Sequence, residues 1–408
     1  TQVDAYRGAG RPEAIYLLER MMDRAARELK IDPLELRRIN FIKKDNFPYR
    51  SSTGETIDVG DFDRVLSAAE ISADIAGFER RKKESEAKGM LRGLGLCYYI
   101  ESILGDPSEE AKVVFEEGLD AKIFVGTQSN GQGHETVFAQ FLSDQIGIPI
   151  EKITVVQGDT DLIPNGGGTG GSRSVTVQNN ATLATVEKVI QSFSQYLSEK
   201  LEVSLENIEF DDISFRINGS NYSPNVLEVA NMACEDQRFD LLTHSAKATL
   251  DARSFPNGAH FAEVEIDPDT GFVQVVRYSV VDDFGNLINP MLAEGQVHGG
   301  VAQGIGQALY EHVVFDKEGQ LLTATFMDYG MPRAQDLPYY KFETECVPST
   351  ANIMGMKGCG EAGTVGALAA VANAVQDALW EIGIQQVDMP FTSEKIWSMI
   401  NSSNLAAE

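Results

Sequence analysis

The residues best placed for chemistry in this sequence are nearly all embedded in glycine. Glu361 stands in Lys-Gly-Cys-Gly-Glu-Ala-Gly, flanked by Gly360 and Ala362, small residues that offer no partner and little solvent. A carboxylate in so tight an apolar loop would hold its proton more firmly and suit general-base work. It could equally cap the helix that follows, where the helix dipole favours negative charge. Arg7, in Tyr-Arg-Gly-Ala-Gly-Arg, lies between an aromatic ring and a glycine. Its planar fork could orient an anionic or polar substrate, or simply pair with an acidic neighbour. Gln132 (Asn-Gly-Gln-Gly) and Gln296 (Glu-Gly-Gln-Val-His-Gly-Gly) are amides in small-residue surroundings, able to donate to a polar ligand or to satisfy backbone groups. His134 and His298 lie close to them in sequence.

Three glycine-rich stretches, residues 125–136, 164–174 and 355–366, each precede a helical pattern. Free N–H groups at helix starts attract anions, and glycine lets a ligand approach the backbone closely. Any one such loop could be a plain turn; three together point to a shared phosphate-bearing ligand. Familiar nucleotide motifs fit poorly. Gly166 and Gly171 have Walker spacing, but Ser172 stands where the phosphate-binding lysine belongs. Gly358, Gly360 and Gly363 spell GxGxxG, with Glu381 about 20 residues on, as dinucleotide-binding folds require. The stretch before them is a poor strand, however, and no clear parallel strand follows. His134-Glu135 begins a zincin motif that Phe138 breaks.

The elements that must position these residues alternate in blocks. Helical spacing runs through residues 13–30 behind Pro12, and again through 33–42. Residues 78–89 are dense in charge and read as a solvated helix leading into a new domain. Strands follow at 91–102, 111–118 and 119–127, the last two forming a hairpin around Gly118, and another at 151–160. A helix at 134–147 closes on glycine, a long one covers about 175–201, another about 293–310, and the last covers 367–383. Two strands meet at a turn over Asp267–Gly271. This is α+β (mixed α/β) architecture without a short repeat.

A net charge of −27 argues against nucleic acid and against an anionic membrane surface. No apolar run is long enough to span a bilayer, and residues 1–14 do not read as a signal peptide. Cys97, Cys234, Cys346 and Cys359 are isolated, which fits a reducing compartment and a cytoplasmic location. Neither they nor any His, Asp or Glu set has metal-ligand spacing, so a metal here would not be held by protein side chains.

Taken in order, Ala-Tyr-Arg-Gly-Ala-Gly-Arg-Pro-Glu-Ala, Asn-Gly-Gln-Gly-His-Glu-Thr, Gly-Thr-Gly-Gly-Ser-Arg-Ser, the strands at 267–291, residues 294–309 and Lys-Gly-Cys-Gly-Glu-Ala-Gly resemble the large, molybdopterin-binding subunit of the xanthine oxidase family. The resemblance is greatest to the carbon monoxide dehydrogenase large chain and aldehyde oxidase group. It implies a remnant of a first molybdopterin-binding domain at 1–85 and a second such domain at 86–408. It implies Glu361 as the catalytic base and Arg7, Tyr98 and Tyr99 as substrate-pocket residues. Gly131, Gln132, Gly133, Thr169, Gly170, Gly171, Ser172, Arg173, Ser174, Gln296, Gly358 and Gly360 would contact the cofactor. The implied reaction is oxidative hydroxylation of an aldehyde or N-heteroaromatic carbon with oxygen from water. The implied cofactor is molybdenum on a molybdopterin dithiolene, in the cytosine dinucleotide form, with [2Fe–2S] and FAD on partner subunits. The family's upstream half, with its Gly-Gly-Phe-Gly loop, is missing, so the chain reads as part of a longer polypeptide or a split pair. Copper-containing members carry cysteine directly after the pocket arginine; Gly8 stands here. The alternatives are a nicotinamide-dependent dehydrogenase and a non-catalytic subunit completing a partner's cofactor site.

Overall fold

The computed structural model describes residues 4–116 and 120–407. Helices α1 (Arg11–Leu29) and α2 (Pro33–Asn40) come first, then the short strands β1 (Tyr49–Arg50) and β2 (Thr56–Ile57), and helices α3 (Phe62–Ala73) and α4 (Phe78–Glu86). Strands β3 (Leu91–Ile100), β4 (Ser108–Glu116) and β5 (Asp120–Val125) lead to α5 (His134–Ile146), β6 (Ile153–Val156) and the long α6 (Ser174–Leu201). The ribbon β7 (Ile208–Phe210) and β8 (Phe215–Ile217) precedes α7 (Val226–Glu235), β9 (Thr243–Thr249), β10 (Asn257–Ile266) and β11 (Val273–Asp283). The remaining elements are α8 (Pro290–Leu309), β12 (Tyr340–Thr344), α9 (Ala362–Trp380) and α10 (Ser393–Ala407).

Two four-stranded sheets organise the chain, in the orders β12–β11–β10–β3 and β6–β5–β4–β9. Each is three antiparallel strands plus one parallel edge strand. The parallel edge strands β6 and β12 are the shortest in their sheets, and each arrives by the long crossover that parallel pairing requires. The expected hairpin exists as the β4–β5 pair, with Glu116 opposite Asp120; Gly118 lies outside the described residues.

Helix α9 is apolar on every side and almost wholly buried, so it must be a core helix. It lies across β3 and β10, with α1 and α8 packed against it and α3 on the opposite face of the sheet. Gly93 and Gly95 make that crossing possible: a Cβ on either would overlap the backbone of Ala374 or Ala370 in α9. The second sheet packs α5, α6 and α7 around Phe115, Ile123, Phe138, Phe193 and Phe215.

The charged stretch is helical, but it is more than a solvated face. Arg81 is buried and its guanidinium meets Glu263 of β10 at 2.6 Å. Helix α4 also buries Phe78 and Ser85, so residues up to 85 pack on the same sheet as those beyond it. The GxGxxG alternative finds no support: Gly358 follows loop rather than strand, and Glu381 ends α9, where it pairs with Lys82.

Candidate active site

Between the two cores lies a cleft of about 680 Å³, walled by loops from distant parts of the chain. Helices α5, α6, α8 and α9 all begin at its rim, with His134, Ser174, Asn289 and Glu361 in the wall. No side chain caps α5, α6 or α9, and their first-turn N–H groups make the cleft a natural seat for anionic groups; α8 is capped by Asn289, whose Oδ1 accepts the Leu292 N–H. The three glycine-rich stretches converge here with the loop before α1, and the backbones touch. A Cβ on Gly358 would overlap Ser172 O, which locks loop 356–361 against loop 165–174.

Glu361 occupies the N-cap position of α9, but its side chain does not cap that helix. It turns into the cleft instead. Oε1 accepts the Gly8 N–H at 2.9 Å, and Oε2 accepts the Ser172 hydroxyl at 2.8 Å and the Arg11 guanidinium. The unpartnered carboxylate expected from composition is therefore a partnered one, because the loop before α1 folds over it. Gly8 is itself held tightly: it has a φ of +106°, and a Cβ there would sit against the Pro12 ring. No side chain, cysteine included, fits at this position without moving Pro12.

Arg7 clamps the site rather than meeting a carboxylate. Nε donates to Gly360 O at 2.5 Å, Nη1 to Gln303 Oε1 at 3.0 Å, and Nη2 to Gln296 O and Oε1 at 2.8 and 3.1 Å. Of its five N–H donors these four contacts leave one Nη1 proton for a ligand. Gln296 is thereby oriented at the cleft wall. Across the cleft, Gln132 Nε2 lies 3.0 Å from His134 Nε2, while His134 Nδ1 lies 3.2 Å from Thr127 O. Burial lowers the affinity of His134 for a second proton. A neutral ring donating from Nδ1 and accepting at Nε2 satisfies both contacts and fixes the amide of Gln132. His298 pairs with Glu294 on α8 and does not line the cleft.

Four expected contacts are corrected. Tyr98 and Tyr99 are core residues: Tyr98 packs on Phe41 and Phe62 and donates to Asn257, and Tyr99 donates to Asp282. They alternate to the two faces of β3, and neither face is the cleft wall. Arg173 lies behind the loop it belongs to, paired with Glu109 at 2.8 Å and donating to Asp106 O, Gly168 O and Ser108 O. Gly133 packs under the first loop against Leu292 rather than facing the cavity. Gly131, Gln132, Thr169, Gly170, Gly171, Ser172, Ser174, Gln296, Gly358 and Gly360 do line it.

Three residues escaped sequence reasoning. Arg11 opens α1, the wrong end of a helix for a cation, and that mismatch was a readable sign. Glu101 directly follows the apolar run of β3 and is wholly buried. Lys357 lines the cleft with its ammonium 2.5 Å from Asp283, both fully buried, which anchors the 356–361 loop.

Among the described residues no group of His, Cys, Asp and Glu could hold a metal ion, and no helix is long and apolar enough to cross a membrane. A cofactor can be tested against the shape instead. Gly131 and Gly170 line the cleft, and a Cβ on either would meet nothing within 4 Å. Side chains there would fill space that a bound group can use. A glycine-lined, anion-attracting cavity with one carboxylate among its lining residues fits a metal that arrives on its own organic ligand.

This architecture and site define a cofactor-binding domain of the molybdenum enzymes. The chain belongs to the molybdopterin cofactor-binding domain family, matched over residues 68–338, with a second family of the same description matched over 1–41. It is 33% identical to the carbon monoxide dehydrogenase large chain of Hydrogenophaga pseudoflava, over 98% of this chain and 52% of that one. It is 34% identical to the nicotine 6-hydroxylase large subunit of Paenarthrobacter nicotinovorans, over 96% and 50%. The structure superposes on quinoline 2-oxidoreductase from Pseudomonas putida 86 with a TM-score of 0.90 at 32% identity, over 97% of this chain and 53% of that one. The chain thus spans about half the length of these relatives.

Proposed function

We propose that the chain is the cofactor-binding catalytic part of a molybdenum hydroxylase that converts a C–H of an aldehyde or N-heteroaromatic ring to C–OH with oxygen from water. The observation that carries this reading is the meeting of Glu361, Ser172, Arg7 and Gln296 at one glycine-lined cleft. When bound, the molybdenum cofactor supplies the redox chemistry, and the protein supplies binding, orientation and electrostatics. Gly131 and Gln132, Thr169 to Ser172 with Ser174, and Gly358 with Gly360 would hold the pterin and its phosphates, and Gln296 would face the metal. The long 165–174 loop suits the larger cytosine dinucleotide form. Glu361 would accept the proton released as the new C–O bond forms, with Arg11, Ser172 and Gly8 fixing its oxygens. The remaining Arg7 N–H would orient the substrate.

The names of the relatives divide between carbon monoxide dehydrogenases and enzymes of N-heteroaromatic compounds, and the crowding that excludes a cysteine at Gly8 favours the second group. The two family matches, over 1–41 and 68–338, support reading the chain as the close of a first cofactor domain followed by a second, with the change ahead of residue 68 rather than at 85. Electrons would pass to partner subunits carrying [2Fe–2S] clusters and FAD, and the upstream half of the large subunit would complete the cofactor cradle. Elemental and nucleotide analysis of the native complex tests the reading. Stoichiometric molybdenum with cytidine nucleotide released on hydrolysis is expected; a complex devoid of molybdenum, or one carrying nicotinamide, would refute it.

A further inference from the structure

Glu101 sits directly below the cleft floor without lining it, its side chain fully buried at the end of β3. It touches both side chains that hold Glu361. Ser172 Oγ lies 3.1 Å from Glu101 Oε1 and 2.8 Å from Glu361 Oε2, and it also accepts the Glu361 backbone N–H at 3.1 Å. Arg11 contacts Glu361 and reaches to 3.7 Å of Glu101 Oε2.

Counting protons decides the state of this cluster. A hydroxyl carries a single proton, so Ser172 cannot donate to both carboxylates at once. If it donates to Glu361, its contact with Glu101 is a hydrogen bond only when Glu101 supplies the proton. Ser172 then accepts from Glu101 and from the Glu361 N–H with its two lone pairs, and all three contacts of its hydroxyl are hydrogen bonds. Charge leads to the same arrangement. Arg11 contacts Glu361 directly and stands 3.7 Å from Glu101, while Arg7, whose charge faces both carboxyls, directs its donors at Gly360, Gln296 and Gln303. Glu101 Oε2, moreover, has no hydrogen-bond partner among the described residues, which a buried ionised carboxylate tolerates badly.

We propose that Glu101 is a positioning residue that holds a proton at neutral pH and donates it to Ser172, so that the negative charge of the pair rests on Glu361. The proposal rests on the reading of Glu361 as the base. Burial pushes the Glu101 carboxyl up to about 8; Arg11 pulls it down, Glu361 pushes it up, Ser172 lowers it and Asp282 raises it. Tyr99, Arg7 and Cys359 also face it. Once Glu101 ionises it competes with Glu361 for the proton of Ser172 and for Arg11, and Glu361 loses its fixed orientation.

Infrared pH-difference spectroscopy of the full protein reads this directly, with or without bound cofactor. A protonated-carboxyl C=O band that disappears with a midpoint near 8 is expected in the wild type and absent from Glu101→Gln. Glu101→Gln should also remove the alkaline shoulder of the pH–rate profile, because the amide mimics the neutral acid at every pH. Carbon NMR of wild-type protein labelled at glutamate carboxyls shows the same titration without any variant, should Glu101→Gln fold poorly. Absence of a glutamate titrating well above its ordinary range would overturn the proposal. So would a band that survives in Glu101→Gln and vanishes in Glu361→Gln. A protein lacking molybdenum but showing the titration would sink the hydroxylase reading while leaving the protonation of Glu101 intact.

Discussion

A carboxylate that is to take a proton at a set point in a reaction needs a fixed oxygen, and a glycine-rich loop alone cannot fix one. At Glu361 the fixing groups come from two other segments: Gly8 and Arg11 around the start of α1, and Ser172 ahead of α6. Replacing the carboxylate with its amide, Glu361→Gln, keeps size and part of the bonding but removes the base. Turnover of the complete enzyme should fall by ~10²–10⁴-fold, the usual contribution of a general base. Molybdenum content, measured alongside the rate, should stay at the wild-type level, since the residues proposed to grip the cofactor are untouched. Loss of metal together with rate would move Glu361 from the base to the cradle. At this scale the sequence was partly legible. Glu361, Gln132 and Gln296 could be picked out because glycine and alanine leave a lone polar side chain conspicuous. Arg11 stood in a helix's first turn, where a cation is out of place, yet its partner is 350 residues away and no spacing rule links them. Tyr98 and Tyr99 misled because aromatic residues within a glycine-containing strand serve a core equally well, and only the pairing of β3 with β10 shows which way each faces.

Elements set how closely these loops can approach, and glycine does so in two separable ways. Gly95 faces the backbone of α9, where a Cβ would overlap Ala370 O, so Gly95→Ala forces strand and helix apart. Overpacking of this kind typically destabilises by ~1–3 kcal/mol, and a denaturation midpoint lowered to match is the expected result. Gly170 faces open cleft, with nothing within 4 Å of a would-be Cβ and no positive φ to strain. Gly170→Leu should therefore unfold at the wild-type temperature when cofactor-free, yet fail to retain molybdenum, as calorimetry and elemental analysis can show. Equal damage to folding and to loading would mean that Gly170 packs rather than cradles. The helices were readable beforehand because α1, α5, α6 and α9 carry their own start and stop signals: Pro12, Gly147, the loop before Ser174, and an alanine-rich apolar run. The sheets were less so. The pairing of β10 with β3 joins residues some 160 positions apart, and alternation within a strand says nothing about its neighbour. The same blindness hid the true character of the charged helix α4, whose Arg81 finds Glu263 only in the folded chain.

At the scale of the whole molecule, a proton held inside the fold makes stability depend on pH. Glu101 has an ordinary value of 4.5 and is pushed to about 8 by burial. Between these two values the folded chain keeps a proton that the unfolded chain has released, so folding is linked to proton uptake. Stability must then fall as pH rises through that window, and the whole penalty is present once Glu101 ionises in the fold. The limiting slope for one such group is ~1.4 kcal/mol per pH unit. The net charge of −27 works in the same direction through general repulsion, so the wild-type curve alone would not isolate Glu101. Glu101→Gln separates the two, since it changes one buried group and leaves the surface charges as they are. Denaturant unfolding across the neutral range should show wild type losing stability more steeply than Glu101→Gln, with the difference between the curves growing up to about pH 8 and levelling beyond it. Parallel curves would mean that Glu101 titrates alike in both states, and that the site carries two negative charges at the pH where it works.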